Sequence, residues 1–298
     1  MAQARAALEP IGEIRALLLA TLLVLAGGAW LLTGARMAGM DAGPGTDPGT
    51  LGFFAISWVV MMAAMMFPSV TPMVLVFASI QSRRRDRGRA AVSRAVFIAG
   101  YMLVWTAFGL AAYGLYVGVR GLSIDALAWD RAGRWVAAGV IAAAALYQLT
   151  PAKDACLRRC RGPLQFLTER WREGRAGALR MGFEHGGWCV GCCWGLMATL
   201  FALGVMSLVW MVVAAGLIAV EKMLPVKAVA NRLVTAVLVA LALAVALVPS
   251  ETPALTQPGS PAAHRAEMRM MGPSGGDGST MSPKRPMHPD AMAPRDER

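Results

Sequence analysis

Acidic side chains and histidine are scarce in this chain: 18 Asp and Glu stand against 29 Lys and Arg, with three His in 298 residues. That scarcity excludes several chemistries. The sequence offers no paired carboxylates for general acid–base work, no glycine-rich phosphate loop, and no serine or threonine nucleophile set. Acids inside apolar segments, the mark of proton relays, are nearly missing. Glu221, beside Lys222 at the end of an apolar run, reads as an interfacial charge pair. The period-two alternation of membrane barrel strands is also absent.

What is present is apolar and arranged in blocks. Hydrophobic residues make up 56% of the chain, and mean hydropathy is +0.51. A bilayer core needs about 20 consecutive apolar residues per helix. Such blocks lie at 16–32, 51–80, 95–119, 135–149, 188–220 and 228–248. The fifth is about 33 residues, roughly 50 Å as one helix against a hydrocarbon core of about 30 Å. Gly204-Val-Met-Ser207 is its one plausible break, so it reads as two helices. The expected fold is all-α, a polytopic transmembrane helix bundle of about seven spans.

The net charge of +11 does not point to nucleic acid, because it is concentrated in two loops. Arg83, Arg84, Arg85, Arg87, Arg89 and Arg94 fill the first; Lys153, Arg158, Arg159, Arg161, Arg170, Arg172, Arg175 and Arg180 fill the second. Basic loops stay in the cytoplasm. The expected topology therefore has a cytoplasmic N-terminus at 1–14, a membrane domain at 15–248, and an extracytoplasmic tail at 249–298. The first apolar block, behind Arg5 and Arg15, reads as an uncleaved anchor rather than a signal peptide. In 150–180, Phe166, Leu167 and Trp171 among the arginines fit either a helix lying on anionic lipid or one packed on the bundle's end. From Pro249 the composition turns to Pro, Gly, Ser, Thr and charge, which predicts disorder.

Soft metal donors are grouped. His185-Gly-Gly-Trp-Cys189-Val-Gly-Cys192-Cys193 holds three of the five cysteines. On a helix His185, Cys189 and Cys192 form one stripe with Cys193 at its edge. Imidazole and thiolate suit Cu(I), or secondarily Zn(II); the competing explanation is packing, since Cys fills apolar cores well. Cys156 and Cys160 lie four apart in the second basic loop and are placed to join that site or to pass metal to it, or else are reduced structural thiols. In the second block Met61, Met62, Met65 and Met66 precede Pro68, and Met62, Met65, Met66 and Met73 occupy roughly a third of the helix circumference. Thioethers select Cu(I), although a methionine stripe is equally a core. The tail carries His264, Met268, Met270, Met271 and His288, workable copper ligands in an oxidising compartment.

Three ordered motifs carry a family resemblance. They are Trp58-x-x-Met61-Met62-Ala-Ala-Met65-Met66-x-Pro68, then Tyr147-Gln148-x-Thr150-Pro151-x-Lys153-x-x-Cys156-Leu157-x-x-Cys160-Arg161, then His185-Gly186-x-x-Cys189-x-Gly191-Cys192-Cys193-Trp194-x-x-Met197. Together, over about 51–225, they resemble the bacterial predicted metal-binding integral membrane proteins called domain of unknown function 2182. The resemblance implies a multi-span inner-membrane protein that binds metal, with ligands among Met61, Met62, Met65, Met66, Cys156, Cys160, His185, Cys189, Cys192 and Cys193. The tail lies outside it. The expected function is Cu(I) handling: acquisition, transfer, or delivery to a copper chaperone or copper enzyme. A thiol-redox membrane subunit and a structural anchor are the alternatives.

Overall fold

The computed structural model describes residues 2–86, 92, 94–122, 128–224 and 226–271, with side chains of the first helix described from residue 16. Every regular element among them is helical. The long helices are α1 (Ala2–Met37), α2 (Leu51–Asp86), α3 (Arg94–Gly121), α4 (Arg134–Gln148, entered through a π-helical turn) and two short helices, α5 (Pro151–Arg161) and α6 (Pro163–Arg170), then α7 (Gly174–Leu203), α8 (Leu208–Met223), α9 (Lys227–Leu247) and α10 (Pro261–Met271). Among the described residues five helices are long and apolar enough to cross a membrane, or six if α4 and α5, bent by 68°, form one broken span. A count of seven also requires α8 to cross, and its 16 residues rise only about 24 Å.

Local chemistry sets the breaks. Thr150 caps α5 by accepting from the Lys153 amide at 3.2 Å, and Pro151 opens the helix where no amide donor is needed. The long block at 188–220 does divide: α7 ends at Leu203 and α8 begins at Leu208. Gly204 turns the chain with φ 120°, beyond the reach of ordinary side chains. Cys189 precedes Gly204 by 15 residues and Lys222 follows Ser207 by 15. An antiparallel α7–α8 hairpin therefore sets Lys222 opposite Cys189.

Helix α7 is the axis of the bundle. It runs parallel to α3 with backbones touching: a Cβ on Gly182 would lie 2.0 Å from the Phe97 carbonyl, and one on Gly100 2.1 Å from that of Leu179. Gly182 and Gly186 are four apart, the small-residue spacing that lets membrane helices approach closely. Helices α4 and α5 descend α7 in the opposite direction, with Tyr147 donating to the Gly191 carbonyl at 2.7 Å and Arg159 stacked 4.1 Å over Trp188. Helix α2 is antiparallel to α7 but held off by large side chains. Trp58 meets Phe201 at 5.7 Å between ring centroids, and Ser69 reaches Cys189 through the shared ammonium of Lys222. Ser69 follows Trp58 by 11 residues and Cys189 precedes Phe201 by 12, so the two helices keep one register. Within about a turn, Met62 is level with Met197, Met66 with Cys192, and Met73 with His185.

The two basic segments lie at one end of the bundle, as their spacing predicts: Arg84 bonds Glu173 and stacks 5.3 Å over Trp171, while Arg170, Arg172 and Arg180 surround Glu184. Of the two placements open for 150–180, packing is observed, because Leu157, Phe166 and Leu167 are buried. The opposite end holds the 38–50 loop, the Gly204 turn and the start of the tail. There the described part of the tail carries α10. Alanines in place of larger apolar residues suffice: Ala263 and Ala266 of α10 bury against Ala42, and the Thr256 carbonyl closes on Gly43, where a side chain would not fit.

Candidate metal centre

Helix α7 buries a row of soft or borderline donors along one side: Met181, His185, Cys189, Cys192, Cys193 and Met197. The sulfurs of Cys189 and Cys192 are joined by that of Cys160, which α5 brings alongside; all three lie within 4.8 Å of one another. Cys193 touches the edge of the group, its sulfur 3.4 Å from that of Cys192. All five cysteines are free thiols. Three convergent sulfurs in a dry site form a soft donor set suited to Cu(I) or Zn(II), and unsuited to ions that prefer oxygen.

Two of the anticipated ligands stand apart from this trio. Cys156, four residues before Cys160, packs against Gly191 on another side of α7, where a Cβ on Gly191 would come within 2.8 Å of its sulfur. His185 lies one turn before Cys189 but outside the three-sulfur group, its ring among Phe97, Tyr101 and Phe166. The single stripe expected from helical spacing thus divides, because the third sulfur comes from α5 and draws the centre toward Cys192. The methionines Met61, Met62, Met65, Met66 and Met73 are all buried. In the tail His264 pairs with Glu267 at 3.5 Å and Met268 is exposed. Met270 and Met271 belong to α10 by backbone alone, and His288 lies outside the described residues.

The trio has a polar second layer that sequence inspection did not identify. The Tyr101 hydroxyl on α3 is 3.0 Å from the Cys189 sulfur. Lys222 on α8 donates to the same sulfur at 3.1 Å and to the Ser69 hydroxyl of α2. Lys222 thus sets a fixed positive charge beside the sulfur cluster. Lys153 reaches from α5 to bond the Cys192 carbonyl and the Glu221 carboxylate, the latter at 2.7 Å. Side-chain exposure in this pair is 1% and 0%, so the interfacial Glu221–Lys222 pair expected from sequence is corrected to an interior Glu221–Lys153 pair. The reason is geometric: the bend after α4 carries Lys153 to Cys192, next to the end of α8. A buried pair of this kind is costly to break from one side, and here it ties α5, α7 and α8 together around the sulfurs. The hairpin symmetry about Gly204–Ser207 was the available signal for Lys222, and the second motif that for Lys153; Tyr101 left none.

Neither the curated proteins nor the solved structures contain a match to this chain. A family model described as the copper chaperone PpoB2 matches residues 55–245. The matched stretch takes in all five cysteines, the methionine stripe and the buried ion pair. With well over half of its length matched, the chain belongs to the PpoB2 copper chaperone family.

Proposed function

We propose that this protein carries Cu(I) within a bacterial inner membrane and passes it to a copper chaperone or copper enzyme. The observation that carries this reading is the convergence of the Cys160, Cys189 and Cys192 sulfurs within 4.8 Å in the interior, in a copper chaperone family member with several helices apolar enough to span a bilayer. Copper is the cargo. The trio is its principal holding site, with Cys193 beside it and Lys222 partly offsetting the thiolate charge. Met61, Met62, Met65 and Met66 provide weaker thioether donors toward the Gly204 end, fit for exchange because a path must release its ion. The basic end faces the cytoplasm. His264 and Met268 of the tail lie on the outer side and collect or hand over copper.

Elemental analysis of the purified full-length protein tests the cargo: copper on the order of one ion per chain at the trio is expected, and a metal-free protein that takes up no Cu(I) sinks the proposal. Redox-dependent thiol labelling without metal protection would instead support the thiol-exchange alternative. Reporter fusions after Arg94 and Arg180 should register cytoplasm and one after Ser260 the outer side; the opposite pattern reverses the orientation.

A further inference from the structure

Resting on the Cu(I) reading, we infer that His185 with Met73 forms a second Cu(I) station, separate from the thiolate trio and one helical turn nearer the basic end. His185 is 2% exposed, and its Nδ1 has no hydrogen-bond partner. A buried imidazole nitrogen left unsatisfied is rare and costly in an interior of this kind. The ring is walled by Tyr101, Phe97 and Phe166, with centroids 5.8, 6.1 and 5.4 Å away. By helical register, soft donors share its level of the bundle. Met181, fully buried, precedes His185 by one turn on α7. Met73, also buried, lies one turn beyond Ser69 on α2, in the same direction that His185 lies beyond Cys189. A second anchor agrees with that level: Phe77, a turn after Met73, stacks 5.1 Å from Phe97, which in turn faces His185.

An imidazole nitrogen with thioethers makes a neutral donor set, less charged than three thiolates, that still suits a monovalent soft ion. Such a set binds more weakly, as an intermediate stop between a tight site and an exit must. Tyr101 stands between the two stations, its hydroxyl at the Cys189 sulfur and its ring beside that of His185.

The test uses the full-length protein in nanodiscs, titrated with Cu(I) under reducing conditions against a chromophoric Cu(I) chelator. Wild type should bind a tight ion and a weaker one. The Cys160→Ser/Cys189→Ser/Cys192→Ser variant should lose the tight ion and keep the weaker, with imidazole scattering in the copper-edge X-ray absorption spectrum. His185→Phe, which suits the aromatic wall, should lose the weaker ion and keep the tight one, and Met73→Leu should do the same should the ring replacement fold poorly. A wild type that binds a single ion, lost entirely in the triple variant, overturns the second station while leaving the trio intact. So does an unchanged weaker ion in both His185→Phe and Met73→Leu. Loss of the trio's ion from wild type with the His185 signal retained would overturn the proposed function instead.

Discussion

The cysteine trio and the methionine stripe are both buried, both rich in sulfur, and level with each other across the α2–α7 interface, yet their surroundings differ. Around the trio stand an ammonium, a phenol and an interior ion pair. Along the stripe stand Trp58, Phe54 and Phe77, with the Trp58 indole donating to the Trp105 carbonyl at 2.8 Å. Polar groups are retained in an apolar interior only where something compensates their desolvation, so the trio's setting bears on binding more than the stripe's. Methionine costs nothing to bury and proves little by being buried. The difference teaches that the same element carries different weight according to the chemistry that surrounds it.

The strongest test of that contrast removes the trio's support. Glu221→Gln leaves Lys153 buried without its counter-charge and should destabilise the fold by about 3–5 kcal/mol, read as a lowered thermal midpoint in detergent; an unchanged midpoint would mean the pair contributes no cohesion among α5, α7 and α8. Next comes Cys189→Ser, at the sulfur touched by both Tyr101 and Lys222. It should weaken Cu(I) affinity by roughly a hundredfold, about 2.7 kcal/mol, in chelator competition, and retention of wild-type affinity would move the site elsewhere. A finer comparison sets Cys160→Ser against Cys156→Ser. The first should lower affinity at least about tenfold and the second should leave it unchanged, since only Cys160 joins the trio; equal effects would show that α5 rearranges on binding. The smallest effect belongs to the stripe. Met62→Leu/Met66→Leu keeps volume and apolarity, so its folding cost should stay below about 1.5 kcal/mol, while transfer of Cu(I) from the trio to an external chelator slows. Normal transfer in a well-folded double variant would assign the stripe to packing alone.

Much of this molecule was legible along the chain. The helical class followed from block length, the break at Gly204–Ser207 from the excess of one block over a bilayer's thickness, and the common end of the two arginine clusters from the segments between them. Cys189 and Cys192 were recognisable as neighbours because three residues make nearly one helical turn. By contrast, Cys160 and Cys156 were indistinguishable: both are thiols among arginines, and only the 68° bend after α4 decided which would meet α7's other sulfurs. The tail's α10 escaped notice because its buried contacts are alanines, too small to mark an apolar face in a stretch rich in Pro, Gly, Ser and charge.

The sequence by itself determined what repeats within one helix or follows from solvent preference: which segments are apolar enough to be helices, where they turn, and which donors share a helical face. Those properties depend on 3.6 residues per turn and on the cost of placing backbone or charge in an apolar medium. Only the tertiary structure decided the composition of the centre. Cys160, Tyr101, Lys222 and Ser69 reach Cys189 from four other helices, Lys153 finds Glu221 across 68 residues of chain, and His185 falls outside the sulfur group despite its position on the same stripe. Such meetings depend on how closely helices approach and at what register, which glycine contacts between α3 and α7 and bulky side chains between α2 and α7 fix in space rather than along the chain.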